Sequence, residues 1–361
     1  MMTRKQFLEE VMKAANLKDL KQADDATQAV ISLTKLIIGS KLSEKIAKVS
    51  PPDLREGWES IRAAFPKKAI KIITGPGAED ADVRRIASYV QKYLGANVLV
   101  ENLAGFWGKI PFEKFQMTEP DGYTLISYTF PKSIIIENMS KTNFRSKNFT
   151  PIFAWSVGTQ LLVVSPDTYK TFDEFLKDAK TKTLRGAFPV RGGTSHLAGL
   201  LFADGMGIHV NWMQVEGSAS SLAALARKDV DFTICLATSL PSWIRAGKIR
   251  LLAILQDERG LSRPYFPGIP TLKELGHDIS CVTIRHVIEA PPNTPPPIVR
   301  VLGEAFSKAV KEPAYIEWAK KNYVIIDPLT PQEFRKEVAE AYPRIEQFKE
   351  MLRSDSDLLS A

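Results

Sequence analysis

The chain has few of the residues that build metal and redox sites. Its two cysteines, Cys235 and Cys281, can form at most one disulfide and do not fix a cellular compartment. The four histidines show no HxH or HExxH spacing, and neither cysteine belongs to a CxxC pair. The sequence therefore predicts no metal centre and no cofactor.

Long apolar runs and basic tracts are also missing. No stretch approaches the roughly 20 apolar residues of a membrane helix. Lys and Arg number 48 and Asp and Glu 41, a formal charge of +7, but basic and acidic residues are interspersed along the whole chain. Without a basic tract, an RNP-like motif or a zinc-finger spacing, nucleic acid is not expected as a partner. The positive charge is compatible with weak attraction of anionic solutes.

Residues 1–66 form a predicted helical extension. Residues 3–8 faintly resemble a twin-arginine export signal, but Glu9 and Glu10 follow where an apolar core should begin. The alternative is an amphipathic helix over 3–17 with Phe7, Val11 and Ala14 on one face. The extension is open to three roles: packing on the rest of the protein, homo-oligomer contacts or contacts with a partner.

Beyond residue 66, short apolar runs alternate with amphipathic helices, a pattern typical of α/β architecture. The chain of 361 residues is long enough for two domains. We predict a first lobe from 67–165 together with about 290–361, and a second lobe from 166–289. Predicted strands cover 69–73, 97–100, 123–128, 160–164, 184–188, 210–214, 230–234 and 250–254, and the main helices 80–94, 196–206, 239–246, 298–310 and 331–352. Two such lobes enclose a cleft, with ligand loops at the carboxyl ends of the strands.

Three glycine-containing loops stand between a strand and a helix, at 75–80, 191–196 and 216–218. Such a loop presents backbone N–H groups and the positive end of a helix dipole, which predicts an anion site. Gly75 and Gly77 match half of a GxGxxG dinucleotide motif, but Asp80 replaces the third glycine and would repel a pyrophosphate. Asp80 is also a candidate cap of its own helix.

Many short motifs resemble one family. They comprise Gly77-Ala78-Glu79-Asp80, Val100-Glu101-Asn102, Gly105 and Gly108, Asp121-Gly122-Tyr123-Thr124-Leu125, residues 192–198, Glu216-Gly217-Ser218, residues 246–253, residues 267–275, Ala290-Pro291 and Thr294-Pro295. In this order and spacing they resemble the tripartite tricarboxylate transporter solute-binding family, also called the Bug family, over about residues 69–352.

The resemblance implies a type II periplasmic-binding-protein fold, no catalysis, and capture of a small carboxylate for membrane transporter subunits. It also implies that Thr194 and Ser195 donate hydroxyls to the ligand, and that Gly77, Ala78, Gly192 and Gly193 donate backbone N–H groups. The full predicted ligand set is Gly77, Ala78, Glu79, Asp80, Arg191, Gly192, Gly193, Thr194, Ser195, His196, Glu216, Gly217, Cys235 and Arg285.

Several residues depart from the family pattern. Pro76 replaces a glycine and has no N–H to donate. Cys235 stands at an often acidic position, for which a buried inert thiol is the alternative interpretation. Glu216 replaces a usual lysine. Arg285 and His286 replace a tryptophan and its aromatic neighbour at the crossover between the lobes. An Arg285 that faces the cleft would pair with a second ligand carboxylate. We expect the second lobe to make most of the contacts with the ligand.

Two other functions stay open at this point. The chain could be a cytoplasmic protein that binds or senses a carboxylate, since the N-terminus shows no readable signal peptide, whereas the resemblance implies a periplasmic protein. It could also be an enzyme that recruited the fold and uses His196, Cys235 or Arg285 on a carboxylated substrate.

Overall fold

The computed structural model describes residues 3–50, 52–61, 65–75, 78–105, 108–255, 260–279 and 283–357. In these ranges three N-terminal helices precede two lobes, and each lobe is a mixed sheet with helices on both faces. The predicted α/β fold with a helical extension is confirmed. No helix in the described part of the chain is long and apolar enough to span a bilayer.

The extension consists of α1 (Arg4–Ala14), α2 (Leu20–Val49) and α3 (Pro52–Ser60). α2 bends at Gly39, whose φ of 77° lies in the left-handed region that glycine adopts without strain. Near this bend the carbonyl groups of Leu36 and Ile37 accept hydrogen bonds from the Arg300 guanidinium, the first at 2.5 Å. Arg300 belongs to the first lobe, so this contact anchors the extension there.

The sheet of the first lobe has the strand order β11-β4-β10-β3-β1-β2. Its strands are β1 (Ile70–Thr74), β2 (Val98–Asn102), β3 (Thr124–Phe130), β4 (Thr150–Gly158), β10 (Ile284–Ala290) and β11 (Ile325–Leu329). One apolar core packs α4 (Ala78–Leu94), α11 (Pro296–Ala309) and α12 (Pro313–Lys321) on one face. A second core packs α5 (Lys109–Gln116), α6 (Lys132–Met139), α13 (Pro331–Glu346) and α14 (Lys349–Asp357) on the other face.

The sheet of the second lobe has the order β7-β6-β8-β5-β9. Its strands are β5 (Gln160–Val164), β6 (Leu184–Phe188), β7 (Val210–Gln214), β8 (Phe232–Leu236) and β9 (Arg250–Ile254). α7 (Phe172–Ala179) and α8 (Thr194–Met206) cover one face, and α9 (Gly217–Ala226) and α10 (Pro241–Arg245) the other. β6 runs parallel to β7 and to β8, so the loops after these three strands emerge at one edge of the sheet.

Both predicted lobe boundaries were wrong by one strand. β5 pairs with β8 and β9, so the second sheet begins directly after Gly158 and not after 165. β10 pairs with β3 and β4, so the first sheet resumes at Ile284 and not at about 290. β5 is mostly apolar, and β10 is a buried strand that carries Arg285, His286 and Glu289. Neither pattern says which sheet the strand joins. The predicted helix over 331–352 is two helices, α13 and α14.

A buried hydrogen-bond network fixes the first turns of α4. The Asp82 carboxylate, 1% exposed, accepts hydrogen bonds from Trp155 Nε1 at 2.8 Å and from Tyr315 Oη at 2.7 Å. His286 Nδ1 lies 2.7 Å from the same carboxylate. Three elements, β4, β10 and α12, thereby hold the start of α4, because a buried carboxylate is stable only when its oxygens are hydrogen-bonded.

Candidate functional site

The candidate site lies where loops of the two lobes face each other. α4 follows β1 in the first lobe and contacts residues 237–239, the turn that follows β8 in the second lobe. A Cβ built on Gly192 would lie 3.2 Å from Met139 Sδ and 3.4 Å from Ile136 Cγ1, both in α6 of the first lobe. The loop at Gly192 and the turn after β8, both of the second lobe, therefore contact helices of the first lobe.

The loop 190–193 is held by its own hydrogen bonds. Gly192, with a φ of 69°, donates its N–H to His196 Nδ1 at 3.2 Å. Gly193 donates its N–H to the carbonyl of Val190 at 3.1 Å. The prediction that these two N–H groups bind a ligand is therefore corrected, because the tight turn already uses both. His196 is 0% exposed and packs on the Phe188 ring, with 4.5 Å between ring centroids, so it orients the loop.

Thr194 and Ser195 open α8, and one amide side chain holds both hydroxyls. Gln160 Nε2 donates to Thr194 Oγ1 at 3.2 Å, and Ser195 Oγ donates to Gln160 Oε1 at 3.0 Å. Thr194 Oγ1 accepts in this pair, so its own hydrogen is free to point elsewhere. Gln160 was missed by the sequence analysis. Its signal is a polar residue at the head of an otherwise apolar strand, QLLVV.

The N-terminus of α8 has no side-chain cap at Gly193. The first N–H groups of a helix have no partner inside the helix and carry the positive end of its dipole. In α8 these groups include those of Thr194 and Ser195. The helix start therefore places N–H donors and oriented hydroxyls at one spot.

Three other predicted ligand residues of the second lobe, Arg191, Glu216 and Gly217, differ in burial and in hydrogen bonding. Arg191 is 3% exposed, and its Nε donates to Gln214 Oε1 at 3.0 Å, which fixes this cation beside the loop. Gly217 donates its N–H to the carbonyl of Pro189 at 2.8 Å. The Glu216 side chain is exposed. The amide of Gly217 thus ties the two loops together and is not available as a ligand donor.

In the first lobe, Gly77 and Pro76 lie outside the described residues. Ala78 and Glu79 open α4. Asp80 Oδ2 accepts a hydrogen bond from Arg84 Nε at 3.0 Å, whereas its buried Oδ1 has no hydrogen-bond partner in the described chain. The same holds for Thr74 Oγ1 at the end of β1.

Two more hydroxyls of this kind follow β8. Thr238 Oγ1 and Ser239 Oγ are buried and have no hydrogen-bond partner among the described residues. They lie in the turn that α4 contacts. Leaving a buried polar atom unpaired costs about 1–3 kcal/mol, so oxygens of this kind offer hydrogen bonds to a bound molecule. Thr74, Thr238 and Ser239 were not predicted, although each directly ends or follows an apolar strand.

Comparison with known proteins agrees with this architecture. The model of the tripartite tricarboxylate transporter family receptor, TctC, matches residues 83–351. The UPF0065 protein in the gbd 5′ region of Cupriavidus necator is 32% identical over 265 residues, which cover 70% of this chain and 78% of that protein. The chain belongs to the TctC receptor family.

Solved structures share the TctC fold with this chain. A periplasmic transporter is 26% identical, with a TM-score of 0.72 over 78% of this chain and 96% of that one. MatC of Rhodopseudomonas palustris, solved with bound malate, is 24% identical, with a TM-score of 0.70 over 79% of this chain and 100% of its own. The TctC protein described here is therefore a solute receptor that works with a transporter, and its family supports a periplasmic location.

Two predicted ligand residues of this TctC receptor are corrected by the structure. Arg285 is 0% exposed and its guanidinium already pairs with two carboxylates: Nε lies 2.5 Å from Glu337 Oε2, and Nη1 lies 2.9 Å from Asp327 Oδ2. Burial alone would lower the pKa of Arg285, but these two carboxylates outweigh it and raise the pKa. Arg285 therefore joins β10 to β11 and α13 and does not face the cleft.

Cys235 is also part of the core. It is 0% exposed in an apolar cluster of the second lobe, and burial raises the pKa of its thiol to about 12. A thiol of this kind is neither a ligand donor nor a nucleophile at neutral pH, because the thiolate is the reactive form. The alternative interpretation of an inert buried thiol fits the structure. The enzyme hypothesis loses its nucleophile.

Proposed function

We propose that this receptor closes on a small carboxylate-bearing solute and binds one carboxylate at the start of α8. The observation that supports the proposal is the Thr194 hydroxyl, whose oxygen accepts from Gln160 and whose hydrogen remains to be donated, at an uncapped helix N-terminus. Ser195 Oγ gives its hydrogen to Gln160, so Ser195 contributes its backbone N–H. Hydrogen bonds from N–H and O–H groups, together with the helix dipole, are the interactions that a carboxylate accepts.

The second lobe supplies most of the donors. Thr194 offers its hydroxyl hydrogen because its oxygen already accepts from Gln160. The buried guanidinium of Arg191 adds a positive charge beside the loop, in a place where solvent screening is weak. The loop is shaped by Gly192, Gly193 and His196. In this proposal these residues affect ligand binding only by positioning the start of α8.

Further donors and an acceptor come from both lobes. The hydroxyls of Thr74 in the first lobe and of Thr238 and Ser239 in the second can donate to a second carboxylate, whereas Asp80 Oδ1 in the first lobe can only accept. A solute with two carboxylates and a hydroxyl would satisfy this set, and malate in MatC has that chemistry. Gly77, Ala78 and Glu79 complete the proposed first-lobe loop, as predicted from the sequence.

We further propose that the loaded receptor acts in the periplasm and delivers its solute to the membrane subunits of the transporter. The N-terminal helices form a separate contact surface in this proposal. Exposed apolar side chains run along α2, with Val30 63%, Leu33 53% and Ile37 59% exposed. Their i, i+3, i+7 spacing places them on one face of the helix. A second copy of the chain is the proposed occupant.

Light scattering tests this surface. The native chain is expected to be a dimer at micromolar concentration, and Leu33→Glu/Ile37→Glu a monomer with unchanged solute binding. A native chain that is monomeric over the same concentrations would contradict the second-copy proposal while leaving the receptor proposal intact.

Solute binding is tested by calorimetry with malate, succinate and adipate. Gln160→Leu is expected to weaken binding of the best solute at least tenfold, because the Thr194 hydroxyl is then no longer oriented, and a hydrogen bond from it to a carboxylate is worth about 1.5–3 kcal/mol. Ser220→Ala is the matched control, since Ser220 is exposed and its hydroxyl donates to the carbonyl of Glu216. Binding that is equal in Gln160→Leu and in the control would move the carboxylate away from α8.

A further inference from the structure

Lys132 is a cation at the edge of the first lobe that faces the second lobe. β1 runs parallel to β2 and to β3, so the loops after these three strands emerge at one edge of the sheet. That edge carries the start of α4, the loop 103–108 and, after β3, the start of α6. Lys132 is the first residue of α6. Open α/β sheets bind their ligands outside the carboxyl ends of such strands.

Two contacts place the Lys132 side chain close to the second lobe. A Cβ built on Gly108 would lie 3.3 Å from Lys132 Nζ and 3.5 Å from Ile136 Cδ1. Lys132 and Ile136 are four residues apart in α6, so they share one face of this helix. Ile136 Cγ1 would in turn lie 3.4 Å from a Cβ built on Gly192. Only the Ile136 side chain therefore separates the Lys132 ammonium from the loop that leads into α8.

The Lys132 ammonium is not neutralised by an acidic residue. Lys132 is partly buried, and its side chain has no hydrogen-bond or ion-pair partner in the described part of the chain. Two neighbouring cations of the first lobe differ in this respect, since Arg84 lies 3.0 Å from Asp80 and Lys109 lies 3.8 Å from Glu113. A partly desolvated ammonium without an acidic partner attracts an anion more strongly than an exposed one does.

We propose that Lys132 binds the second carboxylate of the solute and thereby selects dicarboxylates over monocarboxylates. This inference rests on the proposed function, in which the start of α8 binds the first carboxylate. Lys132 adds a positive charge to the hydroxyl donors that Thr74, Thr238 and Ser239 offer to the second carboxylate. A carboxylate forms a charge-assisted hydrogen bond with an ammonium, whereas a neutral end group forms a weaker one. Lys132 thus has the role that the sequence predicted for Arg285.

Calorimetry on the full chain tests this role with succinate, adipate and the monoamide of each. A dicarboxylate and its monoamide have nearly the same shape and differ by one charge. The native chain is expected to bind at least one dicarboxylate at least tenfold more tightly than its monoamide. Lys132→Met keeps most of the side-chain volume and removes the charge, so it should lower this preference at least fivefold. The monoamide should bind within twofold of its native affinity, which also shows that the variant is folded.

Lys114→Met is the matched control. Lys114 is an exposed lysine of α5 in the same lobe, so the variant loses the same charge away from the proposed contact. It should keep the native preference for the dicarboxylate. An unchanged preference in Lys132→Met would overturn the inference, and so would an equal loss of affinity for the dicarboxylate and the monoamide. An equal fall in preference in Lys114→Met would also overturn it, because the effect would then come from the net charge of the protein.

The outcomes for the native chain separate this inference from the proposed function. If the native chain binds a dicarboxylate and its monoamide equally well, the role of Lys132 is overturned while the receptor proposal stands. If it binds none of the four compounds and no malate at millimolar concentration, the receptor proposal fails, and the role of Lys132 fails with it.

Discussion

Replacing Glu289 by glutamine should make the receptor more stable at alkaline pH and leave it nearly unchanged at acidic pH. Glu289 lies in β10, is 1% exposed, and accepts a hydrogen bond from Tyr128 Oη at 2.7 Å. Ser133 donates to the same Tyr128 oxygen at 3.0 Å. Burial raises the pKa of Glu289 to about 8, against opposing contributions from the Tyr128 hydrogen bond and the Arg335 charge.

The sign and size of the effect follow from this pKa. Between pH 4.5, the ordinary value for a glutamate, and about pH 8, the folded chain holds a proton at Glu289 that the unfolded chain has released. Stability therefore falls as pH rises through this range and levels off above it. One pKa unit corresponds to about 1.4 kcal/mol, so the full loss is about 5 kcal/mol.

Urea unfolding at pH 5, 7 and 9 measures the effect. Native chain and Glu289→Gln should differ by less than about 1 kcal/mol at pH 5, since the glutamine amide resembles the protonated acid in shape and charge. By pH 9 the variant should be more stable by several kcal/mol. Parallel stability curves for the two proteins across this range would refute the reasoning, because Glu289 would then titrate alike in the folded and unfolded chains.

Three other variants test separate parts of the structure. Arg285→Met should cost about 3–5 kcal/mol in urea unfolding, because it leaves two carboxylates without their cation; the solute affinity should stay within twofold, and a tenfold loss would return Arg285 to the cleft. In a Cys281→Ser background, Cys235 should react with a thiol reagent only after unfolding, and rapid labelling of the folded chain would contradict its burial. Arg300→Ala should cost about 1–3 kcal/mol by leaving the carbonyls of Leu36 and Ile37 without a donor, with faster proteolysis in residues 1–66 than in the lobes; an unchanged digestion pattern would argue against the anchoring contact.

Local sequence patterns predicted the periodic elements well. β5, β6, β7 and β9 have the predicted bounds, and α4 and α8 begin within two residues of the predicted starts. The bounds of these elements follow from the spacing of apolar residues and from the glycines between elements. Both are local signals, set by a few neighbouring residues. The motif order also identified the family, because short loops at fixed spacing are a property of the chain itself.

The partners of individual side chains were decided by the tertiary structure. Arg285 could have faced a ligand or a protein carboxylate, and only the return of β11 and α13 to β10 places Asp327 and Glu337 beside it. Gly192 and Gly193 belong to a predicted anion loop, but the side chain of His196 and the carbonyl of Val190 take up their N–H groups.

The sequence pattern also did not show which sheet each strand joins or which residues meet at the candidate site. The sequence alone determined two α/β lobes, a helical extension and a family whose members capture solutes. Only the folded chain decided that β5 belongs to the second sheet and β10 to the first, and that Gln160 holds Thr194 and Ser195. The physical reason is that periodicity reports which face of an element is buried, whereas hydrogen-bond and charge partners depend on contacts between residues far apart in sequence.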